Sequence, residues 1–127
     1  MACGAKPVYP DMKLYEEILL LKGYFKGKWV VENVISWYDP LIKPTNILHR
    51  HCFWTNFNLP FKRFKQCPYV LQVTKEVLSE YHGIKVPRVK NQRLLLRNCV
   101  YPPLAEYIFD CAFKIKQTKL CDACEFL

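Results

Sequence analysis

Glycine is scarce in this chain, with only Gly4, Gly23, Gly27 and Gly83 in 127 residues, never in the clustered spacing of a loop that wraps a phosphate. That excludes a glycine-rich nucleotide-binding turn from the sequence. Long apolar runs are missing too: Ile18-Leu19-Leu20-Leu21 stops at Lys22-Gly23, far short of the roughly 20 residues a membrane-crossing helix needs. With no basic, apolar, small-residue leader at the start, the chain reads as soluble, intracellular and cytoplasmic, with no membrane partner. Acid is in short supply, 11 Asp and Glu against 19 Lys and Arg, for a net charge of +8. Such an excess favours an anionic partner such as nucleic acid. Cysteine is plentiful but odd in number: seven, scattered through apolar and basic contexts, suit free thiols better than a disulfide framework. Cys121 and Cys124 make a lone Cys-x-x-Cys, and a zinc site there would have to recruit from His49, His51 and Cys111. A tail that happens to carry cysteines is the simpler reading, so no metal is expected.

What is present fits one small domain with a modest core. Asp11 can cap a helix whose Leu14, Ile18 and Leu21 recur at helical spacing, with Gly23 where it would stop. Lys28 to Val34 then reads as a strand, and a helix running directly into a strand suggests a doubly wound α/β sheet. Pro40 and Pro44 bracket an irregular loop, and the aromatic stretch His51 to Phe57 reads as a second strand. Tyr69 to His82 supports a helix with Val70, Val73, Val77 and Tyr81 near one face and Gly83 after it. Lys85 to Arg93 is a basic connection, and Pro102-Pro103 opens a last helix through Ala105, Ile108, Phe109 and Ala112. There is no internal repeat and no low-complexity segment.

Function enters through Lys28-Trp29-Val30-Val31-Glu32-Asn33-Val34, an apolar run that ends on a carboxylate and an amide. It follows Asp11-Met12-Lys13-Leu14-Tyr15-Glu16-Glu17-Ile18. It precedes Arg50-His51-Cys52-Phe53-Trp54-Thr55-Asn56 and then Arg97-Asn98-Cys99-Val100-Tyr101-Pro102-Pro103-Leu104. That ordered set resembles the C-terminal portion of the carbon-5 cytosine DNA methyltransferases, especially their compact phage-type members, from about Pro7 to about Phe113. The resemblance implies the C-terminal part of a Rossmann-like methyltransferase sheet with flanking helices, in a prokaryotic or phage-infected cell.

The family's chemistry adds a cysteine thiolate to carbon 6 of a base swung out of the helix, and the resulting enamine takes the methyl group of S-adenosylmethionine. A glutamate bound to ring nitrogen 3 and the exocyclic amine stabilises the charge that develops. By resemblance Glu32 is that glutamate, Asn33 holds the loop geometry and Val34 packs the strand end. Arg50 stands where the family places an arginine near the flipped base and its phosphate; a second arginine common two residues earlier is Leu48 here. Asn98, Cys99 and Val100 resemble the closing block over the cofactor, with Arg97 in place of a common glycine. Phe53 and Trp54 read as core or platform aromatics.

The resemblance divides the chain as one partial domain: residues 1–6 as a non-family start, 7–57 as a helix-strand unit, 58–93 as a short DNA-facing region, 94–113 as the closing block and helix, and 114–127 as a tail. In the DNA-facing region Lys62, Arg63, Lys65, Arg88, Lys90 and Arg93 suit phosphate contacts. The family's front half is missing: no glycine-rich cofactor loop, and no Pro-Cys-Gln nucleophile, since Cys3 sits between Ala2 and Gly4 and Cys67 between Gln66 and Pro68. The expectation is therefore a fragment inactive alone, whose partners are DNA and a separate N-terminal half. A noncatalytic DNA-binding or partner-binding remnant is the alternative.

Overall fold

The computed structural model describes residues 9–67 and 73–114. The chain is mixed α/β and divides into two compact units, Met1–Phe61 and Lys62–Leu127. The Cys121/Cys124 pair, Cys3 and the Tyr69-Val70 start of the expected second helix lie outside the described residues.

The first unit opens with helix α1, Met12–Tyr24. Asp11 caps it as its sequence position suggests, accepting from the Lys13 N–H at 3.1 Å. Tyr15 and Ile18 are its buried residues, and they pack with Cys52 and Trp54, flanked by Leu14, Trp29, Val31, Tyr38 and Ile42. Strand β1, Val30–Val34, is shorter than the run Lys28 to Val34. The Trp29 N–H is taken by the Asn56 side chain at 3.0 Å, and the same amide donates to the Gly27 carbonyl at 2.8 Å. One asparagine thus stands in for the next rung of the ladder.

Just beyond the Pro40–Pro44 loop, where the sequence assigns no element, lies a short strand β2, Asn46–Leu48. It turns through His49 and Arg50, with His49 at φ 59°, into β3, His51–Thr55. The sheet order is β1-β3-β2, and both pairings are antiparallel. This differs from the parallel strands of a doubly wound sheet. The reason is connection length: a two-residue turn permits only antiparallel neighbours, and the path from β1 to β3 holds no crossover helix. As the central strand, β3 has His51, Cys52, Phe53 and Trp54 all buried. Several hydrogen bonds fasten residues 35–45. Trp54 Nε1–H donates to the Ile42 carbonyl at 2.8 Å, the Leu41 N–H donates to the Tyr15 hydroxyl at 3.1 Å, and the Thr45 N–H donates to the Phe53 carbonyl at 2.8 Å.

In the second unit, helix α2 runs Lys75–His82, with Thr74 accepting weakly from the Val77 N–H at 3.5 Å. Gly83 ends it in the left-handed region at φ 67°, where glycine alone is free of strain. The inward face is Leu78 and His82, four apart, whereas Val77 is exposed. Helix α3, Gln92–Asn98, follows and buries Leu96. It overlaps the basic connection only at Gln92 and Arg93, and its remaining residues belong to the closing block expected from Leu94 onward. Helix α4, Pro102–Phe113, has its two prolines in the first turn as expected. Its buried residues are Leu104, Ile108 and Cys111, and Phe109 points out. Proline placement fixed where the helix starts, and packing chose a face rotated from the one the apolar pattern suggests.

Candidate functional site

Glu32 lies third of five in β1 rather than at its end, opposite Phe53 in the register. The pleat turns its side chain to the same face as Val30 and Val34, away from Val31, which packs toward α1. There the Glu32 carboxylate is hydrogen-bonded to Nδ1 of His51 on β3. His51 is buried while about a third of the Glu32 side chain stays open (34%). A buried imidazole therefore fixes one carboxylate oxygen and leaves the group reachable from solvent. The nearby charge also acts on Cys52: burial chiefly, and Glu32 in addition, push its thiol above the ordinary value.

Asn33 pairs with Cys52 and Val34 with His51. Arg50 sits in the β2–β3 turn, exposed, its carbonyl accepting the Ile35 N–H at 3.3 Å. That hydrogen bond ties the exit of β1 to the turn, so Arg50 and the loop after Val34 share one end of the sheet. Among the described residues the Arg50 guanidinium makes no ion pair with a carboxylate. The partner of Glu32 is His51, which sequence reasoning considered only as a zinc donor. Its one signal is its alternation with Phe53, which places both on the Glu32 face.

In the second unit Lys62, Arg63, Lys65, Arg88, Lys90 and Arg93 are all exposed. The first three line a cavity of about 340 Å³ beside α4, together with Tyr101 and Tyr107. Lys62 Nζ lies 4.8 Å from the Tyr107 ring centre and 5.6 Å from that of Phe64, so two aromatic faces hold this ammonium. Burial, then the Cys111 thiol, push the Tyr107 hydroxyl up to about 12, so it stays a neutral donor across the physiological range. Tyr81 is likewise pushed up to about 12, chiefly by burial and then by Cys67 and Tyr101, and its hydroxyl donates to the Lys65 carbonyl at 2.8 Å. These tyrosines brace the basic segment; from sequence Tyr81 is read only as a helix-face residue, and Tyr107 is not singled out.

Asn98 ends α3, Cys99 caps it in an extended conformation and Val100 leads to α4. They line neither the cavity beside α4 nor the one between α2 and α3. Two prolines strip the start of α4 of N–H groups, and the Leu104 and Ala105 N–H both donate to the Tyr101 carbonyl. The donors that remain for a ligand here are the Asn98 amide and the backbone of Cys99 and Val100.

Compared with known protein families, curated proteins and solved structures, the chain matches none. The described helices include none long and apolar enough to cross a membrane.

Proposed function

We propose that this chain is the C-terminal, base-recognising portion of a DNA (cytosine-5)-methyltransferase, its strands and helices forming part of a Rossmann-like methyltransferase fold. The observation that carries the reading is the Glu32 carboxylate, pinned by a buried imidazole on a sheet face yet open to solvent. A group that must meet a ring nitrogen and an amine together gains from being held in place before the base arrives. Arg50, at the same end of the sheet, supplies an exposed cation for a phosphate or carbonyl oxygen. Lys62, Arg63, Lys65, Arg88, Lys90 and Arg93 supply the phosphate contacts of the second unit.

S-adenosylmethionine would provide the methyl group in the complete enzyme. Asn98, Cys99 and Val100 offer polar contacts but enclose no cofactor cavity, so a separate segment has to supply most of that site. The same segment has to supply the thiolate. The test is reconstitution: full-length chain, labelled S-adenosylmethionine and DNA, with and without a polypeptide bearing the glycine-rich loop and Pro-Cys-Gln. No transfer is expected from the chain alone. With the second polypeptide, transfer should appear and should fall roughly 100-fold or more in Glu32→Gln, which removes the carboxylate but keeps an acceptor oxygen. Transfer by the chain alone, or an unchanged rate in Glu32→Gln with chemistry rate-limiting, overturns the assignment.

A further inference from the structure

The two edges of the three-stranded sheet are treated differently. On β2, only three residues long, the Ile47 N–H is capped by the Asn46 side chain at 2.8 Å, and Pro44 precedes the strand. Short strands, prolines and self-satisfied edge groups are the usual protections against further pairing. β1 has none of them: Val30–Val34 runs five residues in unbroken register, without proline, lysine or bulge. The Trp29 and Ile35 N–H groups both point toward β3, taken by the Asn56 side chain and the Arg50 carbonyl. By the two-residue alternation of an antiparallel ladder, the N–H and C=O groups of Val30, Glu32 and Val34 therefore face outward. Among the described residues no strand pairs with that edge. Val30, Val34 and Ile35 are half exposed beside it, and Trp37 is fully exposed at 103% just beyond.

We infer that the outer edge of β1 is a docking site for an extended segment of a different polypeptide, which adds a fourth strand to the sheet. A row of alternating outward donors and acceptors is satisfied in full only by another backbone strand. Charge speaks against a nucleic-acid backbone lying along this edge, which has no lysine or arginine from Val30 to Val34. Of 19 Lys and Arg, 12 lie beyond Phe61 with 6 of the 11 acids, a net +6 there against +2 in the first unit. It also speaks against a second copy in full overlap, because two-fold pairing of Val30–Val34 sets Glu32 against Glu32, and like charges directly opposite destabilise a sheet. The segment that fits carries apolar side chains across from Val30 and Val34, and lysine or arginine across from Glu32. Trp37, with its neighbours held by the Ser36 hydroxyl on the Tyr38 carbonyl at 2.7 Å, stands ready to cover the segment's end.

This inference needs the sheet of the first unit and not the methyltransferase reading, so binding and methylation can fail separately. The test uses two blocked peptides of alternating valine and threonine, one with a central lysine and one with a central glutamate, added to the full chain and followed by amide hydrogen exchange. The lysine peptide should slow exchange at Val30, Glu32 and Val34 without affecting Ile47, and should bind several-fold more tightly than the glutamate peptide. Val30→Pro removes one outward N–H while leaving the ladder to β3 intact, so the variant should fold normally and lose roughly tenfold in peptide affinity. A circular dichroism spectrum matching the parent establishes that it folds. If neither peptide protects these amides, or Val30→Pro binds as well as the parent, the edge does not receive a strand. If the amides are protected without peptide and the chain sediments as a dimer, the occupant is a second copy and the proposed partner is wrong.

Discussion

His51 is the buried polar residue on which the sheet of the first unit turns. Its ring lies inside the protein with Nδ1 hydrogen-bonded to Glu32, so Glu32 has a structural task beside any chemical one. Removing the partner of a buried donor exposes the full cost of dehydrating it, about 1–3 kcal/mol. Replacing that partner by another acceptor restores most of the bond. Glu32→Ala should therefore lower the stability of the chain by about 1–3 kcal/mol in urea denaturation, and Glu32→Gln by much less. Equal losses for the two would mean that the acceptor oxygen contributes nothing and that the imidazole is satisfied elsewhere. The contrast also matters for the functional test, since Gln isolates the charge whereas Ala disturbs the sheet.

Helix termini give the clearest element-scale expectation. Asp11 holds the Lys13 N–H at 3.1 Å, whereas Thr74 reaches the Val77 N–H only at 3.5 Å, the outer limit of a useful bond. Asp11→Ala should cost about 1 kcal/mol and Thr74→Ala clearly less, measured as shifts in the urea midpoint; the reverse order would show that cap geometry does not govern these helices. The same signals explain what could be read in advance. Asp11, Gly83 and Pro102-Pro103 are local chemistry, and all three mark helix ends in the structure. Which face turns inward was less legible, because Val77 and Phe109 fit the apolar period yet Leu78 and Leu104 are the residues that packing buries. β2 was invisible for a related reason: three residues, Asn46–Leu48, are too few to carry a period. Strand direction followed from the His49-Arg50 turn, whose tightness shows only when Leu48 and His51 are seen paired. Glu32 stands out as an acid in an apolar run, but its partner lies 19 residues away and is fixed only by the register.

At the scale of the whole molecule the main asymmetry is charge. The first unit is near neutral and has a strand edge that pairs with no other strand among the described residues; the second holds most of the excess positive charge and the exposed Lys62, Arg63 and Lys65 beside α4. DNA affinity should then reside in the second unit, be largely independent of sequence, and come from release of counterions from phosphates. For a protein neutralising several phosphates, affinity falls by orders of magnitude between about 50 and 200 mM salt. Reversing Lys62, Arg63 and Lys65 to glutamate in the full chain should weaken binding to any duplex and flatten its dependence on salt. Reversing Lys13 and Lys22, exposed cations of α1, should change little. Fluorescence anisotropy with two unrelated duplexes over a salt series separates the cases. If the α1 reversals weaken binding as much as those beside α4, net charge rather than its placement governs the affinity, and the basic segment after Phe61 has no special part in holding DNA.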